Sequence, residues 1–190
     1  MIIGRLLGAA ILALNQDAGA ADSETQRASS CAASLEEVRA IIFSGKDEVI
    51  FTTWKGEGSA HVDAKGRYNW SPTEYGRDER QSLPSPALIA DMADGPDLSA
   101  VESCPVIREF LTDNHVQYGD RAVEAAMKRR DPDVIFASVS LARVDRGGGH
   151  ALVEEGFSGT IAGGGGWLNL MARDKNGVWR RTYTAPTWIS

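Results

Sequence analysis

The chain has little of what most chemical motifs are made from. It holds two cysteines and three histidines in 190 residues. The histidines lie apart, as His61 in "SAHVDA", His115 in "TDNHVQY" and His150 in "GGGHAL". No two of them have the spacing of a local metal motif, so neither a metal nor a cofactor site is expected. A basic excess is also missing. With 26 acidic and 20 basic side chains the formal charge is −6, which argues against nucleic acid and against an anionic membrane surface as partner. Long apolar runs are absent as well. The run "LLGAAILAL" has nine residues, against the roughly 20 that a membrane-spanning helix needs.

That short run does fit another role. "MIIGR" places Arg5 before it, and "NQDAGA" follows with Ala18 and Ala20 set for A-x-A cleavage. A short positive start, a short apolar middle and a small-residue exit are the parts of a secretory signal peptide over residues 1–20. Cleavage there removes Arg5 and Asp17 together and leaves the charge unchanged. The expected location is periplasmic or secreted. Cys31 does not directly follow the apolar run, which excludes a lipid-anchored cysteine. In an exported chain, Cys31 and Cys104 are a candidate disulfide, with two unrelated thiols as the alternative.

The remaining composition, 43% hydrophobic and 24% charged, is that of a globular domain. Residues 21–33 are small and polar and read as a flexible leader to a single domain over 34–190. "SLEEVRAIIFSG" then reads as a helix, with Ser34 and Glu37 as a capping box and Gly45 as the stop. "DEVIFTTWKG" reads as a strand, and "SPALIADMADG" and "GDRAVEAAMKRRDP" as helices. Residues 56–84 resist assignment, and "VIREFLTDN" fits helix or strand. From residue 133 four apolar or alternating runs follow, separated by "RGGG", "SGTIAGGG" and "KNG". Short strands punctuated by glycine turns form an antiparallel meander. The expected fold is α+β, with N-terminal helices packed on a C-terminal antiparallel β-meander. Val139, Leu141, Val153, Phe157, Leu168, Leu170, Trp179 and Trp188 are the candidate core.

The glycine-rich stretch "GFSGTIAGGGGWLNL" invites two catalytic readings. A phosphate loop needs a lysine and a following helix, and this stretch has neither. A nucleophile elbow needs G-x-S-x-G, but Thr160 stands two residues after Ser158. The run is therefore read as a bend between strands. Glu154 and Glu155 are neighbours in a strand, so they point to opposite faces and cannot form a paired acid/base site. Either one can point inward. The five tryptophans are read first as core, with an aromatic groove as the second reading.

The segments "SLARVD", "ALVEEGF", "SGTIAG", "WLNLMARDKNGVW" and "TWIS" together resemble the C-terminal pattern of a group of small exported bacterial proteins with no assigned activity. The resemblance covers residues 134–190. Where that group carries a cysteine pair, this chain has Ser158 and Ala162, so sulfur chemistry is absent from the loop. The resemblance implies a fold and an exported location and brings no catalytic set. The expected function is binding of a small molecule, an envelope component or a protein partner, without catalysis. The alternative is a small periplasmic hydrolase using His61 or His150 with Ser158 and an acidic residue. A third reading is an interaction module that pairs through a C-terminal sheet edge.

Overall fold

The structure is a computed structural model, which describes residues 7–45, 48–53, 87–88, 92, 98–160 and 163–189, with side chains between Ser23 and Pro186. The uncertain stretch over 56–84, His61, Trp54 and Trp70 lie outside the described residues, as does most of the expected helix at 85–95. Of that helix Ala87, Leu88 and Met92 are described, and all three are helical.

A long helix, α1 (Leu7–Ser44), comes first, followed by β1 (Glu48–Phe51). Three shorter helices follow, α2 (Ala100–Ser103), α3 (Pro105–Asp113) and α4 (Asp120–Arg129). The chain then runs through β2 (Val134–Val139), β3 (Arg143–Val144), β4 (His150–Gly159), β5 (Gly164–Arg173) and β6 (Trp179–Ile189). The sheet order is β1-β2-β4-β5-β6, with β3 pairing β4 beside that path. All pairings are antiparallel except β1 with β2. The fold is α+β, and the expected meander is present as β4, β5 and β6.

Both faces of the sheet are covered. On one, Val38 and Ile41 of α1 join Val101, Ile107 and Leu111 of α2 and α3 against Val139, Val153, Met171 and Trp179. On the other, Ala126 of α4 packs on Ile50, Val134 and Phe136. Met92 packs on Leu152, Leu168, Leu170 and Tyr183 farther along that face. This arrangement explains why β4 is buried at five consecutive positions, Ala151–Glu155, where a strand with one wet face would alternate. Of the expected core, Val139, Val153, Leu168, Leu170 and Trp179 are buried, and Leu141 and Phe157 are partly so. The side chain of Trp188 lies outside the described residues.

The start of the first helix differs from expectation. Residues 21–33, read as a flexible leader, are helical, and Ser30, Cys31 and Ala33 are buried. Ser34 is therefore inside α1 and caps nothing. Its hydroxyl lies 3.1 Å from the carbonyl oxygens of Ser30 and Ser140 and accepts from the Ala142 N–H at 2.8 Å. The β2–β3 connection supplies the partner that a helix start would otherwise have supplied. A buried stripe through Cys31, Ser34, Leu35, Val38 and Ile41 follows at three- and four-residue steps, which is the spacing of one helix face.

Cys31 and Cys104 are joined by a disulfide, with Cα atoms 5.6 Å apart and a separation of 73 positions in sequence. Cys104 stands between α2 and α3, where Pro105 opens the second helix. The bridge ties α1 to that corner.

The two ends of β5 show how the turns are made. Between β4 and β5, Gly163 stands at φ 87° and its carbonyl accepts from the Gly159 N–H. Gly164, Gly165 and Gly166 are already in strand and pair with Ser158, Phe157 and Gly156. The glycine run is thus partly bend and partly strand. At the other end, the Asn176–Gly177 turn has positive φ only at Gly177, at 82°. Asp174 Oδ1 accepts from the Asn176 and Val178 N–H groups, so an aspartate side chain caps this turn.

Candidate functional site

The sequence singled out His61, His150 and Ser158 as candidate catalytic residues. His150 and Ser158 occupy opposite ends of β4. Eight residues of extended strand separate them by roughly 26 Å, so they form no dyad. His150 Nδ1 lies 3.1 Å from Asp145 Oδ2, while Asp145 Oδ1 accepts from the Gly149 and His150 N–H groups. Those bonds close the "RGGG" turn and hold the Asp145 carboxyl below its usual range. Ser158 is exposed, and so is His115, which follows the end of α3 in the left-handed region at φ 57°. His61 lies outside the described residues. Among the described residues, no group of three or more His, Cys, Asp or Glu side chains is placed to hold a metal ion.

A different set converges instead between α1 and the sheet. Glu37 sits in the buried stripe of α1 and is fully buried. Arg181 of β6 donates through Nη2 to Glu37 Oε1, and the same nitrogen lies 3.6 Å from Glu155 Oε2 on β4. Burial is the main reason that the Glu37 pKa is pushed up to about 8, and the neighbouring Glu155 adds to it; Arg181 pulls the other way. Glu37 therefore holds its proton at neutral pH, with Arg181 as the cation beside both carboxyls.

The strand register places Asn169 in the middle of this group. Glu155 pairs with Trp167, Val153 with Asn169, and Arg181 with Met171. Paired residues and their i±2 neighbours share a face, so Asn169 stands on β5 between Glu155 on one side and Arg181 on the other. It is fully buried, and both its Oδ1 and its Nδ2 lack a hydrogen-bond partner among the described residues. The Glu37 Oε2 also finds no hydrogen-bond partner among the described residues. Arg181, with its side chain 37% exposed, is the member that meets solvent.

An aromatic pair borders the cluster on the same face. Trp167, partly exposed, stands directly across from Glu155. Its indole leans over Gly165, where a Cβ would come within 2.7 Å of Cη2. Phe157, cross-strand from Gly165, meets the indole edge-on with ring centroids 5.7 Å apart. Gly165 is thus glycine because the ring occupies the place of a side chain. Gly165→Ala is expected to push the indole aside and to cost about 1–3 kcal/mol, read as a lowered midpoint in guanidinium with the disulfide intact.

Glu154, the neighbour of Glu155, faces the opposite side, as strand alternation required. There Arg143 binds it at 2.6 Å, and its N–H donates to the Ser140 hydroxyl at 2.8 Å. This second buried ion pair is structural, because Glu154 is met by a dedicated cation.

Asn169 yields a direct test. A buried amide with neither atom paired costs about 1–3 kcal/mol. Replacing it by the isosteric leucine removes that cost and adds apolar contact. Asn169→Leu is expected to raise the melting temperature by roughly 2–10 °C in a chain of this size, as read by calorimetry. A lower melting temperature would mean that the amide is satisfied in solution by a water bound in the protein.

Comparison with family models, with curated proteins and with solved structures finds no match to this chain.

Proposed function

We propose that the protein is an exported binding domain, and that the Glu37–Glu155–Asn169–Arg181 cluster is its recognition centre. The observation that carries this reading is Asn169, an amide held in a fully buried position with neither polar atom partnered among the described residues. Buried polar groups are nearly always paired. An idle amide beside a carboxyl pair and a half-exposed arginine is what a site lacking its ligand presents. Catalysis by Ser158 with His150 has no geometric support.

Export rests on the N-terminal pattern and on the Cys31–Cys104 bridge, which persists only in an oxidising compartment. The resemblance of residues 134–190 to exported bacterial proteins points the same way. Among the described residues no helix is long and apolar enough to cross a membrane. Cleavage after Ala20 retains Ser23–Ser44, and with them Cys31 and Glu37. Mass spectrometry of the exported protein is expected to find Ala21 as the first residue.

Pairing through the sheet edge is the weaker reading. No described strand pairs with the outer side of β6, but Pro186 and two register shifts interrupt it, and such interruptions discourage strand addition.

The binding reading is tested by a thermal-shift screen of sugars, amines and organic acids on the wild type and on Asn169→Leu. Compounds that bind at the cluster raise the wild-type melting temperature and leave the variant unmoved. Compounds that shift both proteins equally would place recognition elsewhere.

A further inference from the structure

Resting on that reading, we propose that the cluster binds a neutral saccharide, with a sugar ring stacked on Trp167 and its hydroxyls bonded to Glu155, Asn169 and Arg181. Four observations combine. First, Trp167 and Phe157 give the site an apolar floor that is partly exposed, and binding sites combine such surface with a few convergent polar groups. A sugar ring offers the matching apolar C–H face. Second, the polar groups share the face of the sheet that carries Trp167. Glu155 is its direct cross-strand neighbour, and Asn169 is the next residue on the same face of β5.

Third, the idle groups on Asn169 are one acceptor and one donor pair. A hydroxyl both donates and accepts, so vicinal hydroxyls satisfy Oδ1 and Nδ2 together. An ion, being all donor or all acceptor, leaves one of them idle. Fourth, the cluster is close to electrically neutral. Burial keeps Glu37 protonated at neutral pH, and Arg181 stands against both carboxyls, so no strong net field selects a cation or an anion. Arg181 is long and partly solvent-exposed, and it swings aside to let a hydroxyl reach Asn169.

The test is titration calorimetry on the mature, disulfide-bonded chain with cellohexaose, maltohexaose and chitohexaose. At least one is expected to bind, with affinity lowered tenfold or more by Trp167→Ala and by Asn169→Leu. The second variant is expected to melt no lower than the wild type, so its loss of binding is not loss of fold. Binding by none of the three oligosaccharides overturns the proposal, as does binding that both variants leave unchanged. Choline, spermidine and citrate form the control panel. A charged probe that binds the wild type but not Asn169→Leu, with no oligosaccharide bound, keeps the recognition centre and overturns the saccharide. No binding by any of the six overturns both.

Discussion

Replacing Cys31 and Cys104 by alanine is expected to lower the stability of the mature chain by about 4 kcal/mol. The bridge closes a loop of 73 residues, and removing it returns that loop's conformational freedom to the unfolded chain. The folded side of the balance changes less. Cys31 and Cys104 are both buried among Leu35, Val38, Val101 and Ile107, and alanine keeps that environment apolar. Two consequences separate this mechanism from lost packing. The dependence of stability on guanidinium should steepen, because an uncrosslinked chain exposes more surface on unfolding. Reduction of the wild type should reproduce the loss. Unchanged stability after reduction would show that the loop is held closed by other contacts. The bridge also bears on the site. Glu37 lies six residues after Cys31 on the same buried stripe, so anchoring α1 at Cys31 helps to hold Glu37 above Asn169. Binding at the cluster is accordingly expected to weaken on reduction before the protein unfolds.

Much of the architecture was legible because its signals are local. Alternation in β4, β5 and β6, broken by glycine at each turn, announced the meander. The segment "GDRAVEAAMKRRDP" carries an acid near its start and bases near its end, and α4 runs from Asp120 to Arg129 within it. The opposite orientation of Glu154 and Glu155 followed from strand period alone. What strand period could not reveal is that both orientations are inward. α1 covers one face and Met92 the other, and long-range packing of that kind leaves no local mark. The start of α1 was misread for a related reason. Ser34 and Glu37 have the spacing of a capping box, but their partners lie far away in sequence, at Ser140, Ala142 and Arg181.

The candidate site was the least legible part. Its four polar members come from α1, β4, β5 and β6, and none forms a motif with its sequence neighbours. One signal was present in "WLNLMARD". Leu168 and Leu170 face one side, so Trp167, Asn169 and Met171 face the other. A lone amide between two large apolar residues on a buried face is out of place in a core. It marks either a satisfied polar contact or a ligand position, and the absence of a described partner favours the second.

Glu37→Gln is expected to remove a pH dependence of stability worth between about 2 and 5 kcal/mol. In the unfolded chain Glu37 titrates near its ordinary value of 4.5; in the fold its pKa is pushed up to about 8. Between those values the folded state holds a proton that the unfolded state has released, so raising the pH favours unfolding. The contribution of the neutral, buried carboxyl is complete below about pH 4.5 and is lost as pH climbs through 8. The charged groups that act on Glu37 are Glu155 on β4 and Arg181 on β6, with Glu36 and Arg39 nearby on α1. Arg181 opposes the shift, and its partial exposure weakens that pull. Glutamine mimics the protonated acid. Its Oε1 accepts from Arg181 and its Nε2 donates to Glu155, and it cannot ionise. Wild type and variant should therefore be about equally stable near pH 4, and the variant should be more stable near pH 9. Urea denaturation at intervals across that range measures the difference directly. Glu155→Gln is the companion experiment. It removes the like charge and leaves Arg181 to Glu37 alone, so the Glu37 pKa should fall and the slope should shrink while Glu37 remains. A slope that survives Glu37→Gln would show that Glu37 is not the group whose proton release sets it.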